Sequence, residues 1–333
     1  MKPKTALLAA LCAVISVPAT QAQSIKPTSK FYVKIAGGYY FSVFPGQFPK
    51  VGSYQPHDQH LEYNPATESS TSVSEKVLTG SYGAGGRGGL SFGWNINRYI
   101  AVEGTFNYYR SKKNLMTREV TTMAGSNQTL GKIESHGYVD AIDFAPGVVV
   151  SPGLEKVNPY VRFGMVVPLW GNLKIETDAS RSGSAVVAGQ TVLTQTTIHR
   201  NETVKPNVTL GFQGALGVAF PVSERFDIFV EAEYRNIPVR SKEKEVTSYD
   251  EAIALLNPAN GTVISTQRRA LGDLSTAERH TKYVTTLDQS SNTPVSQQGA
   301  TVTYKHDDQP SNDLKSYINI GGLGANAGLK WKF

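Results

Sequence analysis

The chain has 333 residues, 40% of them hydrophobic and 18% charged, with a formal net charge of +6 and a pI near 9.1. Its single cysteine, Cys12, excludes a disulfide scaffold, and no run of like charge supplies the phosphate-binding stripe of a nucleic-acid-binding protein. After residue 22 no apolar stretch approaches the roughly 18–20 residues of a membrane helix, yet a mean hydropathy of −0.26 leaves room for strands that are apolar on alternate residues.

Residues 1–22 read as a secretory signal peptide: Lys2 and Lys4 give a basic start, Ala6 to Val17 form the apolar run, and Thr20 and Ala22 stand at the −3 and −1 places. Bulky Leu11 before Cys12, and an apolar run continuing past it, argue against a lipoprotein. Cleavage after Ala22 would remove the cysteine and lower the 33 basic residues to 31, against 27 acidic ones. Residues 23–333 then form one exported domain.

That domain alternates with a period of two, the signature of strands with one apolar face. In 30–44, Phe31, Val33, Ile35, Tyr39 and Phe41 share a face, with Tyr32, Lys34, Ala36, Gly38 and Tyr40 on the other. Residues 87–96 place Leu90, Phe92, Trp94 and Ile96 opposite glycines and Ser91; 99–109 place Ile100, Val102, Phe106 and Tyr108 opposite Ala101, Glu103, Thr105 and Asn107. The scheme repeats in 140–150, 160–170, 207–220 and 226–235, and closes with Leu323, Leu329, Trp331 and Phe333 against Asn326, Lys330 and Lys332. That makes eight strands.

Connections after the second, fourth and sixth strands are brief; those after the first, third, fifth and seventh are long and polar, near 45–82, 111–136, 176–206 and 238–313. An up-and-down meander with one tight end and one end of large loops follows. The glycine-rich 83–89 leads into a strand, so it relieves crowding on a curved sheet and does not cradle phosphate. In 248–261, Ser248 with Glu251 three on and Leu255 and Leu256 beyond predict a short helix. The stretch 300–306 extends a hairpin or adds strands, which makes a ten-stranded ring the structural alternative.

The alternation, the aromatics at strand ends (Trp94, Tyr99, Trp331) and the final Phe333 with Trp331 two places before it resemble the eight-stranded outer-membrane β-barrels of Gram-negative bacteria. That group includes the transmembrane domain of outer membrane protein A; no periplasmic domain follows here. The resemblance implies an all-β, antiparallel transmembrane barrel with short periplasmic turns and long extracellular loops, exported through the periplasm to the outer membrane. It also implies outer-membrane lipid as a partner, and Trp331 and Phe333 as the strand recognised by the barrel assembly machinery.

On the inward face, Lys34, Arg87, Arg162, Arg235 and Lys330 would share the interior with Glu103, Asp143, Asp227, Glu231 and Glu233, five of each sign. Buried charges need partners, and an eight-stranded interior is just wide enough for side chains, so a salt-bridged plug is expected. The six histidines, His57, His60, His136, His199, His280 and His306, fall in or beside the long connections. His136 with Ser135 and Asp140 is the nearest approach to a catalytic cluster, and His57, Asp58 and His60 to a metal site; solvated loop residues explain them better. The reading is therefore a closed barrel with a structural or surface-binding role through its loops toward an unidentified extracellular partner, without cofactor, metal or catalysis. A small-solute or hydrophobic-ligand transporter is the alternative, and a rim enzyme the weaker one.

Overall fold

The computed structural model describes residues 29–333 except 44, 127, 188, 208, 299 and 300. The signal peptide and Cys12 lie outside the described residues. Eight strands form a closed ring: β1 (Phe31–Phe41), β2 (Gly85–Asn95), β3 (Ile100–Ser111), β4 (Thr129–Val150), β5 (Asn158–Val187), β6 (Gly211–Pro221), β7 (Phe226–Asn236) and β8 (Leu323–Lys332). Each pairs antiparallel with the next. β8 pairs back onto β1, from Tyr32 opposite Lys332 to Phe41 opposite Leu323, so no edge is left in the ring. The ten-stranded alternative is not formed.

The faces follow the sequence pattern. Phe31, Ile35, Tyr39 and Phe41 point outward, as do Phe92, Trp94, Tyr99, Phe106, Phe163, Phe212, Trp331 and Phe333, all exposed on the isolated chain. Trp331 lies 4.5 Å from the Phe333 ring and 6.0 Å from Phe226, while Phe31 is opposite Trp94 in the ladder, so these aromatics gather at the short-turn end, and Tyr39 and Phe41, 5.4 Å apart, stand at the other. There the β2–β3 turn is held by Asn97, whose Oδ1 accepts from the backbone N–H groups of Tyr99 and Ile100 at 2.8 and 2.9 Å.

The long connections differ from the polar loops expected. They are largely β-structure that continues the barrel wall outward as a tower. β4 and β5 run past the ring, and β5 is followed by the strand Gln190–Asn207, which pairs with both β5 and Pro238–Leu256. The strand Asn114–Met123 joins β4, and His57–Asn64 joins Asn114–Met123 in parallel. A polar, Thr-rich composition conceals the alternation: Val192, Glu202 and Val204 are buried while their neighbours are not.

The helix expected over 248–261 is absent. Pro238–Leu256 is a strand there, because Gln190–Asn207 and Val263–Ala270 offer ladders on its two sides, with Arg200 opposite Tyr249 and Arg269 opposite Glu251. Local propensity yields to that pairing. The capping box occurs further on: Ser275 Oγ accepts from the Glu278 N–H at 3.2 Å, and the Glu278 carboxylate accepts from the Ser275 N–H at 2.9 Å, opening the four-residue helix Thr276–Arg279. Thr301–Tyr304 pairs with Pro294–Gln298 as a separate hairpin.

One irregularity changes the phase of β5 between ring and tower. Between Pro168 and Trp170 the β4–β5 register shifts, leaving Leu169 and Trp170 both outward at 55% and 47% exposure. Below this bulge the odd residues Val161, Phe163 and Met165 face outward; above it the odd residues Leu173, Ile175 and Thr177 face inward.

Candidate functional site

The interior of the ring is filled by charge. Lys34 Nζ lies 3.1 Å from Glu231 and 3.3 Å from Glu103, and Arg162 Nη2 lies 2.8 Å from Glu231 and 3.4 Å from Glu233. Arg235 holds Asp143 with two N–H groups, each at 3.0 Å, and Glu233 through Nε at 2.9 Å. Arg87 is more loosely paired, 3.9 Å from Glu233, and stacks 4.1 Å over the Tyr40 ring and 5.2 Å from that of Tyr109. These four cations and the four carboxylates Glu103, Asp143, Glu231 and Glu233 are all buried. At the short-turn mouth Asp227 takes Lys332 at 2.7 Å, a residue outside the expected network, while Lys330 lies 4.0 Å over the Tyr32 ring.

The pairing is completed by polar groups that charge counting does not find. Tyr32 donates to Glu103 at 2.9 Å, Tyr160 to Glu231 at 2.8 Å, and Tyr40 to Glu233. Asn107 donates to Asp143 at 2.8 Å, Asn326 donates to Glu233 at 2.6 Å, and Gln213 accepts from Arg235 at 2.7 Å. The sequence signal is glycine across from tyrosine. A Cβ on Gly93 would stand 1.9 Å from the Tyr32 ring, and one on Gly217 2.4 Å from that of Tyr160. Each inward ring therefore needs a bare backbone on the neighbouring strand.

Among the described residues, cavities of about 20 Å³ beside Arg87, Arg162 and Glu233 and about 40 Å³ between Tyr32, Arg98 and Lys330 lie in this interior. A water needs about 10–15 Å³, so each has room for a few waters at most. Above the charges an apolar layer closes the bore, with Val51, Tyr82, Met116, Val166 and Ile237 each at most 1% exposed. Phe48, Val51 and Tyr82 belong to the first long connection, which folds inward.

The tower has its own buried ion cluster. Glu202, 2% exposed, lies 2.8 Å from Lys244 and 3.2 Å from Arg200. Burial pushes its carboxyl up, but the two cations outweigh burial and bring it down to about 2 from an ordinary 4.5. A carboxyl depressed on folding stabilises above its unfolded pKa and loses that contribution as pH falls through the folded one. The tower is accordingly expected to keep full protease resistance above pH about 4.5 and to lose it progressively toward pH about 2, and Glu202→Gln to flatten that profile. An unchanged profile in the variant would remove Glu202 as the cause.

The histidines stand outside the ring's interior. His57 contacts Glu75, His60 Nε2 is 2.9 Å from Thr122 Oγ1, His136 is 3.5 Å from Glu134, and His199 is 2.5 Å from Asp178. Asp58 is held by Arg118 at 2.7 Å. The proposed catalytic neighbours of His136 are engaged elsewhere: Ser135 Oγ lies 2.8 Å from Thr177 Oγ1, and Asp140 accepts from Lys174 and Tyr108, each at 3.0 Å.

Residues 7–250 match the family described as outer membrane protein beta-barrel domain. A comparison with curated proteins finds no match. Among solved structures the chain is similar to Neisserial surface protein A, with 11% identity, coverage of 92% of this chain and 100% of that one, and a TM-score of 0.29. It is also similar to OprG from Pseudomonas aeruginosa (10%, 92% and 96%, 0.33) and to a major outer membrane protein from Thermus thermophilus (12%, 92% and 99%, 0.30). Those likenesses are too low to carry an argument; the family match over most of the chain does. With its closed antiparallel ring and outward apolar belt, the chain belongs to the outer membrane protein beta-barrel domain family, and its place is the bacterial outer membrane.

Proposed function

We propose that the barrel is a closed anchor and that the tower it carries is a non-catalytic surface for binding outside the cell. The observation behind this reading is the filled bore: four buried cations meet four buried carboxylates, with water-sized cavities between them. Opening a path would separate those pairs, and one-sided loss of a buried pair costs about 3–5 kcal/mol. The wall above the ring is instead continuous sheet, which holds the outer residues on a rigid support.

A second reading, uptake of a small apolar solute, draws on a cavity of about 230 Å³ beside Phe48, Tyr82, Pro238, Tyr317 and Ile318, where β1 has left β8. Its volume is below the roughly 300–1,000 Å³ of ordinary ligand pockets, so the closed anchor is preferred. Refolded protein in a planar bilayer is expected to give no steps of conductance at any voltage tested, and vesicles bearing it to take up a small apolar dye no faster than bare ones. Reproducible channels would sink the closed anchor, and faster dye entry would favour the second reading.

A further inference from the structure

The far end of the tower separates from the rest. β4 accompanies β5 only as far as Gly131 opposite Arg181. Residues 182–187 then keep a neighbour on one side, Gln190–Asn207, with Ser184 opposite Leu193. Leu193 is in turn opposite Leu256, and Leu256 opposite Val263. Four strand ends make a blade, and its outer edge at 182–187 has no ladder partner among the described residues.

The chemistry of this blade is unlike that of the chain. Residues 182–198 and 252–267 contain no Asp, Glu, Lys or Arg, in a protein 18% charged. Ser184, Leu193, Leu256 and Val263 form one row across the strands, and Val186, Val263 and Ile264 are 73%, 61% and 59% exposed. Edge strands of water-exposed sheets are normally blunted by lysine, proline or a bulge. The edge sequence SGSAVV has no lysine or proline, and its ladder with Gln190–Asn207 runs without a register shift.

Symmetry selects the occupant. When identical edges meet across a twofold axis, each residue faces another of the same short segment, so like charges anywhere in it would be brought within a few residues of one another. An edge and blade wholly free of charge avoid that repulsion. Twofold pairing is antiparallel, because the slanted bonds of a parallel ladder make the two strands inequivalent. β5 runs outward from the barrel, adding about 55 Å of strand between Trp170 and Val187 at about 3.3 Å per residue. An antiparallel partner runs back the other way, and its barrel must lie in a facing membrane.

We propose that residues 182–187 pair antiparallel with the same segment of a second copy seated in an opposed outer membrane, so that the protein ties two such surfaces together. This rests on the surface-binding reading above and names its partner. The full-length protein would be reconstituted into two differently labelled populations of phosphatidylcholine vesicles, with labelling of the exposed tower lysines Lys132 and Lys205 by a membrane-impermeant amine reagent used to confirm that the tower faces outward. Mixed clusters of both labels are expected only when both populations carry the protein, and they are expected to be lost with Val186→Lys. Because Val186 is 73% exposed, that variant should keep the heat-modifiable gel mobility of a folded barrel. Dispersed vesicles, clustering with protein-free vesicles, or clustering unchanged by Val186→Lys would each overturn the inference. Dispersed vesicles together with a silent bilayer overturn the self-pairing alone, whereas open channels overturn the closed anchor.

Discussion

Arg235→Met is expected to lower the unfolding free energy of the barrel by about 3–5 kcal/mol. Arg235 is wholly buried and serves Asp143, Glu233 and Gln213 at once. Methionine approximates its volume, so the loss reports charge more than packing. Of the polar contacts to Asp143, the one from Asn107 at 2.8 Å would remain, leaving a buried carboxylate without a countercharge. Glu233 would keep Arg162 and the more distant Arg87. The double variant Arg235→Met with Asp143→Leu should recover most of the loss, since removing both members of a buried pair strands no charge. Urea titration in lipid vesicles, followed by fluorescence of the outward tryptophans, measures both. Equal losses in the single and double variants would refute the pairing as the source of stability.

Gly328→Val is expected to prevent the ring from closing, an effect above about 4 kcal/mol. A Cβ at Gly328 would stand 2.0 Å from the Ile35 carbonyl oxygen, 2.9 Å from the Ala36 Cα and 2.8 Å from the Phe229 ring. Two of these obstacles are backbone atoms of β1, the strand β8 must pair with to close the barrel. No side-chain rotation relieves them. Gly214→Val on β6 is the control, because a Cβ there meets nothing within 4 Å. The heat-modifiable band on a cold gel should vanish for the first variant and persist for the second. A folded band of normal stability for Gly328→Val would show that the seam can shift.

The eight ring strands were legible because their outward residues are large and apolar and their inward ones small or polar, so period two is plain in Phe31 to Phe41 or Leu90 to Trp94. The inward charges were readable by the same parity. What parity could not supply was partner choice: Lys332 reaches Asp227, while Lys330, the residue directly opposite Asp227 in the ladder, lies over the Tyr32 ring. Tyr32 and Tyr40 were placed on the inner face, Tyr160 was not assigned, and none was recognised as a donor, since their hydroxyls find carboxylates on strands distant in sequence. The tower was missed for a different reason. Its strands are bounded by no apolar contrast, and 248–256 carries local helix signals that cross-strand pairing overrides.

The bulge at Leu169 changes the phase of one wall strand: β5 inverts there, while its neighbour β4 keeps odd residues inward from Asp143 and Ala145 in the ring to Ile133 and Ser135 in the tower. In the ring, inside means buried among charges and outside means acyl chains; in the tower, inside means an apolar or ionic core and outside means water. On β5 an odd residue belongs outside below the bulge and inside above it, so a single extra residue shifts the side-chain phase of that strand against its unbroken neighbour. Length changes above the rim in even steps preserve this assignment. An odd step inverts every side chain beyond it unless a second bulge restores the parity, so the permissible variants of such a tower are quantised by two.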